Sequence, residues 1–136
     1  MDLISAIKVA TSGLRAQGGR MRIIAENLAN ANSMARTPGG DPYRRRIAMV
    51  ENRFDDVLQA YTVRNGRYKL DKRPFGLKYD PGHPAANDKG YVKTSNVNTL
   101  IESVDLREAQ RSYEANLNVI TSSRQMLART LDILKA

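Results

Sequence analysis

VNTLIESVDLREAQRSYEANLNVITSSRQMLARTLDILKA, residues 97–136, decides the fold. From Leu106 onward, Leu106, Gln110, Tyr113, Leu117, Ile120, Arg124, Leu127, Leu131 and Leu134 are spaced alternately by four and three. That is the a/d seam of a helix packed on another helix. Opposite the seam, Ala115, Val119, Met126 and Ile133 form a second apolar stripe. A helix that is apolar on two sides has to be covered on two sides.

The other end of the chain repeats the pattern. Leu3, Ile7, Ala10, Leu14, Gln17, Met21, Ile24, Leu28 and Ala31 keep the same spacing, and Val9, Ala16 and Ile23 recur every seven residues across from them. The fold expected is mainly α with a small β insertion. The N- and C-terminal long helices (1–32 and 97–136) pair as a coiled coil, with a short-stranded β and loop unit (33–96) between them. Pairing covers one seam of each helix. The second stripes then ask for neighbouring subunits, or for the chain's own middle to pack on them. Gln17 and Arg124, polar within apolar seams, either fix register or tip into solvent.

Asp2 is a candidate N-cap for the first helix, which at 1.5 Å per residue runs roughly 44 Å to Ala31. Gly13, Gly18 and Gly19 lie inside it, each costing about 1 kcal/mol against alanine. They imply either close approach by a neighbouring backbone or a kink near Gly18. Asn27 and Asn30 share a face at the helix end, suited to a C-cap or to hydrogen bonds with the loop that follows. Arg36-Thr-Pro38-Gly-Gly-Asp-Pro42 is turn-forming throughout. Between Tyr43 and Val92 lie seven of the eight aromatic residues, separated by turn signals. Ile47–Val50, Tyr61–Val63, Tyr68–Leu70, Leu77–Tyr79 and Tyr91-Val92 read as short strands, and Asn65-Gly66 reads as a hairpin turn. Phe54, Val57, Leu58 and Tyr61 equally match one face of a short helix. The second helix is expected to start at Asn98 or Thr99, where Thr99-Leu-Ile-Glu102 has capping-box spacing.

Chemistry finds little to work with. The chain has no cysteine, which excludes disulfides and thiolate sites. His83 is the single histidine, and it stands in a turn between Gly82 and Pro84. A catalytic triad or transition-metal site therefore lacks partners, and no phosphate-binding glycine motif occurs. No catalytic residue, metal or cofactor is expected. No apolar run is long enough to span a membrane, and Lys8, Arg15, Arg20 and Arg22 interrupt the one candidate signal segment. Export, if it occurs, is expected to leave the N-terminus uncut. Of the net charge of +8, +6 sits in the middle, where thirteen basic side chains face seven acidic ones. Arg44-Arg45-Arg46, Arg64, Arg67, Lys69, Lys72 and Arg73 interleave there with Tyr43, Tyr61, Tyr68 and Phe75. That combination sustains an alternative reading as a basic nucleic-acid-binding helical protein.

Ala25-Glu-Asn-Leu-Ala-Asn-Ala-Asn32, the loop from Arg36 into Tyr43-Arg-Arg-Arg46, Tyr79–Asn98 (YDPGHPAANDKGYVKTSNVN) and Arg107–Ile120 (REAQRSYEANLNVI) together resemble the flagellar rod and hook protein family. The resemblance extends over nearly the whole chain and is weakest from Glu51 to Gly76. It implies a structural subunit of the bacterial flagellar basal body, in the proximal rod that crosses the periplasm and carries torque. Its terminal helices are then expected to surround the export channel. Copies of the same chain in a helical assembly, other rod proteins, the adapter to the membrane ring and the flagellar type III export apparatus are the implied partners. Nucleic acid and a membrane span are not among them. Subunit packing then falls to Leu3, Ile7, Leu14, Met21, Ile24, Leu28, Leu106, Tyr113, Leu117, Ile120, Leu127, Leu131 and Leu134. Second-face packing falls to Val9, Ala16, Ile23, Val119, Met126 and Ile133, and loop organisation to Asn27, Asn30, Pro38 and Tyr43.

Overall fold

The computed structural model describes residues 2–135 and consists of two long helices with six short strands between them. Helix α1 spans Leu3–Ala29 and α2 spans Thr99–Lys135. The strands are β1 (Arg46–Ile47), β2 (Val50–Asp55), β3 (Ala60–Asn65), β4 (Lys69–Leu70), β5 (Gly76–Tyr79) and β6 (Tyr91–Thr94). They pair antiparallel as β1 with β4, β2 with β3 and β5 with β6. The mainly α architecture with a small stranded insertion is the one expected from the heptads.

Helix α1 begins as its sequence asks, with the Asp2 carboxylate accepting from Ser5 N at 2.7 Å. It ends two residues before Ala31, where Asn30 N reaches back to the Glu26 carbonyl and Asn30 Nδ2 caps the same oxygen at 2.8 Å. The capping-box reading of α2 is corrected. Asn98 Oδ1 accepts from Leu100 N and Ile101 N at 3.0 and 3.3 Å, so Asn98 is the cap. Glu102 points elsewhere, into a buried network. The helix runs on through Asp105 without interruption.

The chain divides into two compact units, each drawing on both helices and on part of the middle. One comprises Met1–Met21, Met49–Arg67 and Arg107–Ala136. In it β2 and β3 form a hairpin whose pairs run from Val50 opposite Asn65 to Asp55 opposite Ala60. Phe54 and Tyr61 face each other edge to face, ring centroids 5.2 Å apart. This overturns the helical alternative for 54–61, since a tight turn brings the two aromatics opposite each other. It also overturns the Asn65-Gly66 turn. The hairpin reverses at 56–59, with Gln59 at φ 47°, because Asp55 Oδ1 accepts from Val57 N and Leu58 N and so closes the turn there. Asn65 instead bonds the Arg15 carbonyl of α1 at 3.2 Å, and Val63 N bonds Ser12 Oγ at 3.2 Å.

The hairpin thus lies on one line of α1 while α2 lies on another. A Cβ at Gly13 would come within 2.7 Å of Asn116 Oδ1 of α2, and one at Gly19 would collide with the Asn65 side chain. Close approach is therefore what two of the three helical glycines provide, and the helix continues past Gly18. Advancing along α1 from Gly13 to Arg20 moves the contact back along α2 from Asn116 to Glu108, so the two segments run antiparallel.

The second unit comprises Arg22–Ala48 and Tyr68–Leu106. Its apolar centre is small: Ala35, Ala85 and Val92, flanked by Met34 and Ala86. Strands β5 and β6 are closed by the Asp80–Gly90 loop. There Asn87 Oδ1 accepts from Lys89 N and Tyr91 N, and His83 Nδ1 accepts from Ala85 N at 3.1 Å. His83 is a loop strut.

Candidate functional site

The second unit is held together by a polar knot around Asn27 and Glu102, both among the most deeply buried side chains of the described residues. Asn27 uses its whole hydrogen-bonding capacity. Its Nδ2 donates to the Arg46 carbonyl at 2.8 Å and to Glu102 Oε2 at 3.0 Å. Its Oδ1 accepts from Arg46 N and from the Tyr43 hydroxyl, each at 2.9 Å. Burial raises the pKa of Tyr43, which keeps that hydroxyl protonated as a donor. Arg45 bonds Glu102 Oε1 through Nε, lies 3.4 Å from Asp71 and 3.5 Å from Asp105, and takes Asn96 Oδ1 at its own N–H. The Arg73 side chain holds the Asp71 carboxyl well below the usual range, at about 2, against the opposing effect of burial. Every charge in this knot is met by another, the condition under which buried charge is tolerated.

Arg44-Arg45-Arg46 are consumed in the same way. Arg44 bonds the carbonyls of Asp71 and Arg73 and stacks 4.1 Å above Phe75. Arg46 pairs with Glu26 at 2.8 Å and lies 4.6 Å over the Tyr68 ring. The triplet that suggested a phosphate-binding groove is a set of internal struts.

In the first unit the polarity is reversed. On α2 Ala109, fully buried, Asn116 and Ser123 recur every seven positions, and Asn116 meets α1 at Gly13. Tyr113, Ile120 and Leu127 neighbour them on the helix, part-buried, and Leu106, also part-buried, belongs to the second unit. Leu117, Val119, Met126, Leu131, Ile133 and Leu134 face outward, with Ile133 and Leu134 each 76% exposed. Among the described residues no group of three or more potential ligands could hold a metal, and no helix is long and apolar enough to cross a membrane.

Comparison with known proteins meets this arrangement at full length. The chain is 49% identical to the flagellar basal-body rod protein FlgC of Agrobacterium fabrum, over 100% of this chain and 99% of the relative. It is 41% identical to FlgC of Borreliella burgdorferi over 99% of each, and 35% identical to FlgC of Aquifex aeolicus over 99% of each. Residues 88–133 match the family described as flagellar basal body rod FlgEFG protein C-terminal. The chain belongs to the flagellar basal-body rod protein family.

In this rod-family chain the packing residues expected from the heptads divide unevenly. On α1, Leu3, Ile7, Leu14, Met21 and Leu28 are part-buried and Ile24 is buried, while on the second stripe Val9 and Ile23 are part-buried and Ala16 is 1% exposed. Ala16 lies between the line that meets the hairpin and the line that meets α2, so the chain's own middle covers part of that stripe. On α2 the most buried positions beyond Leu106 are Ala109 and Ser123, two heptads apart and outside the seam. Where the two helices meet at Asn116, it is the missing Cβ of Gly13 on α1 that leaves room for the Asn116 side chain. Of the loop residues, Asn27 and Tyr43 tie the rod-family loop to the helix, Asn30 stays with its own helix end, and Pro38 stands exposed in the turn where Gly40 N bonds the Thr37 carbonyl. Glu102 and Arg45 are absent from the sequence-derived set. Their separation of 57 positions leaves no local signal, and the run of arginines masks Arg45.

Proposed function

We propose that the chain is a structural, non-catalytic subunit of the flagellar basal-body rod, in its proximal part. Membership of the rod family supports the class. The observation that carries the reading to this chain is the exposure, over the C-terminal half of α2, of apolar residues from both stripes: Leu117, Leu131 and Leu134 of the seam, and Val119, Met126 and Ile133 opposite it. Full burial of each such side chain contributes about 1.5 to 3 kcal/mol, so lateral packing of many helices yields a stiff, noncovalent shaft. In this reading α1 and α2 pair as a coiled coil within 1–32 and 97–136, and neighbouring pairs form a tube around the export channel. The segment 33–96 joins them and faces other components. The seam and stripe residues are its packing groups, with other rod proteins, further copies and the membrane-ring adapter as neighbours. Delivery is by the flagellar export apparatus to the periplasm, with the N-terminus retained.

The test is complementation of a deletion strain with Leu131→Asp. The expected result is loss of motility and of incorporation into basal bodies, while the purified variant keeps the far-UV dichroism of the parent. Normal rods built from this variant would sink the assignment. The nucleic-acid alternative has no comparable support, since its arginine triplet is engaged inside the chain.

A further inference from the structure

Two surface features on this chain match each other in polarity and sign. The first is the tip of the β2–β3 hairpin. Val57 is 90% exposed, the most exposed large apolar residue among those described. The tip is held rigid by the Asp55 carboxylate, which caps Val57 N and Leu58 N, and by Gln59 Nε2, which donates to the Asp56 carbonyl at 2.8 Å. Asp56 is exposed beside Val57, and its carboxylate has no ion-pair partner among the described residues. A rigid knob with one apolar and one acidic side chain is thus presented to solvent.

The second feature is a cleft of about 440 Å³ lined by Arg44, Lys69, Leu70, Asp71 and Lys72. Its charged lining is not all available. Arg44 is committed to two carbonyls and to Phe75, and Asp71 to Arg73 and Arg45. Lys69 and Lys72 are exposed and have no carboxylate partner among the described residues, and Leu70 between them is 53% exposed. What the cleft offers a visitor is an apolar floor with two free ammonium groups at its rim.

We propose that the hairpin tip of one copy seats in this cleft of the next copy, with Val57 on Leu70 and Asp56 between Lys69 and Lys72. The inference rests on the reading of the chain as a self-assembling rod subunit and names one contact by which copies meet. A second copy is the occupant because knob and socket are both carried by this chain. Two copies with a net charge of +8 each repel, so a homotypic contact needs a local acid-to-base match of this kind. Knob and socket are different patches, which makes the contact head-to-tail and repeatable from copy to copy rather than closed in a two-fold dimer.

The absence of cysteine permits a direct test in the full-length chain. Val57→Cys and Leu70→Cys are introduced together, expressed in a deletion strain, and basal bodies are oxidised and analysed without reductant. The expected result is a ladder of disulfide-linked multimers of this chain. Either Asp56→Lys or Lys72→Asp, added alone, reduces the ladder several-fold, and the two together restore it. A fast-migrating monomer, or a crosslink to a different rod component in place of the ladder, overturns the proposal. A second variant carrying Leu117→Cys and Leu131→Cys reports helix packing separately. A helix crosslink without a 57–70 ladder rejects the knob and socket and leaves the rod assignment standing. If the parent chain does not enter basal bodies at all, the rod assignment fails and the proposal falls with it.

Discussion

The knot around Asn27 and the outer side of α2 beyond Leu117 invert the usual distribution of polarity. In the knot, Glu102 is fully buried among Arg45, Asn27 and neighbouring carboxylates. On α2, Ile133 and Leu134 stand 76% exposed. A chain built to be stable alone would place the leucines inside and the glutamate outside. The arrangement makes sense when the two regions answer to different needs. The knot fixes how the NLANAN segment, the Tyr43–Arg46 loop and the start of α2 fit one another, using directional bonds that admit a single geometry. In the proposed reading, the exposed apolar residues of α2 supply non-directional adhesive surface for neighbouring subunits.

Substitutions sharpen that contrast through opposite effects on stability and assembly. The largest stability loss is expected for Glu102→Ala, which strands Arg45 and Asn27 without their buried acceptor and costs about 3 to 5 kcal/mol. A loss under about 1 kcal/mol by chemical denaturation would mean the knot is ornamental. Asn27→Ala removes four hydrogen bonds and leaves the Tyr43 hydroxyl and the Arg46 backbone unmet, costing about 2 to 3 kcal/mol. Acid probes the same region more gently. Asp71 has a folded pKa lowered from 3.8 to about 2, so its contribution is fully present above about pH 4 and disappears as pH falls through 2. That contribution is on the order of 2 kcal/mol, and denaturation midpoints recorded from pH 5 to pH 2 should fall accordingly, with Asp71→Asn flattening the dependence. Smallest of all is Leu131→Asp. Its effect on the stability of the free chain is expected to stay within about 0.5 kcal/mol, despite the loss of incorporation described above.

Much of the fold is legible in the sequence because heptad spacing is local information. Tyr113, Ile120 and Leu127 mark part-buried positions on α2, and Asp2 marks the first cap. What the spacing does not encode is phase. Leu117 and Leu131 look like better contact residues than Asn116 and Ser123, since hydrophobicity is visible in a sequence and the room needed for close backbone approach is not. Gly13 was the available hint, because its cost within a helix is repaid by the Asn116 side chain seated against it. The knot was legible only in part. Asn27 stands out from its motif, but Glu102 reads as a capping carboxylate because its partner Arg45 is distant in sequence and hidden among like residues. In the hairpin, Asn65-Gly66 carried the stronger turn signal and Asp55 won. The Asp55 side chain caps two backbone donors at once, while Asn65 is drawn to the Arg15 carbonyl of α1.

The central claim is that the exposed apolar residues on the two stripes of α2 beyond Leu117 are covered by neighbours and not by the chain itself. Hydrogen exchange measured on the dilute full-length protein and on assembled basal bodies tests it directly. Residues 117–135 are expected to exchange rapidly in the free chain and to become strongly protected in the assembly, while residues 22–29 and 99–106, tied into the knot, stay slow in both. Strong protection of 117–135 in the dilute chain, unchanged on assembly, would contradict the claim.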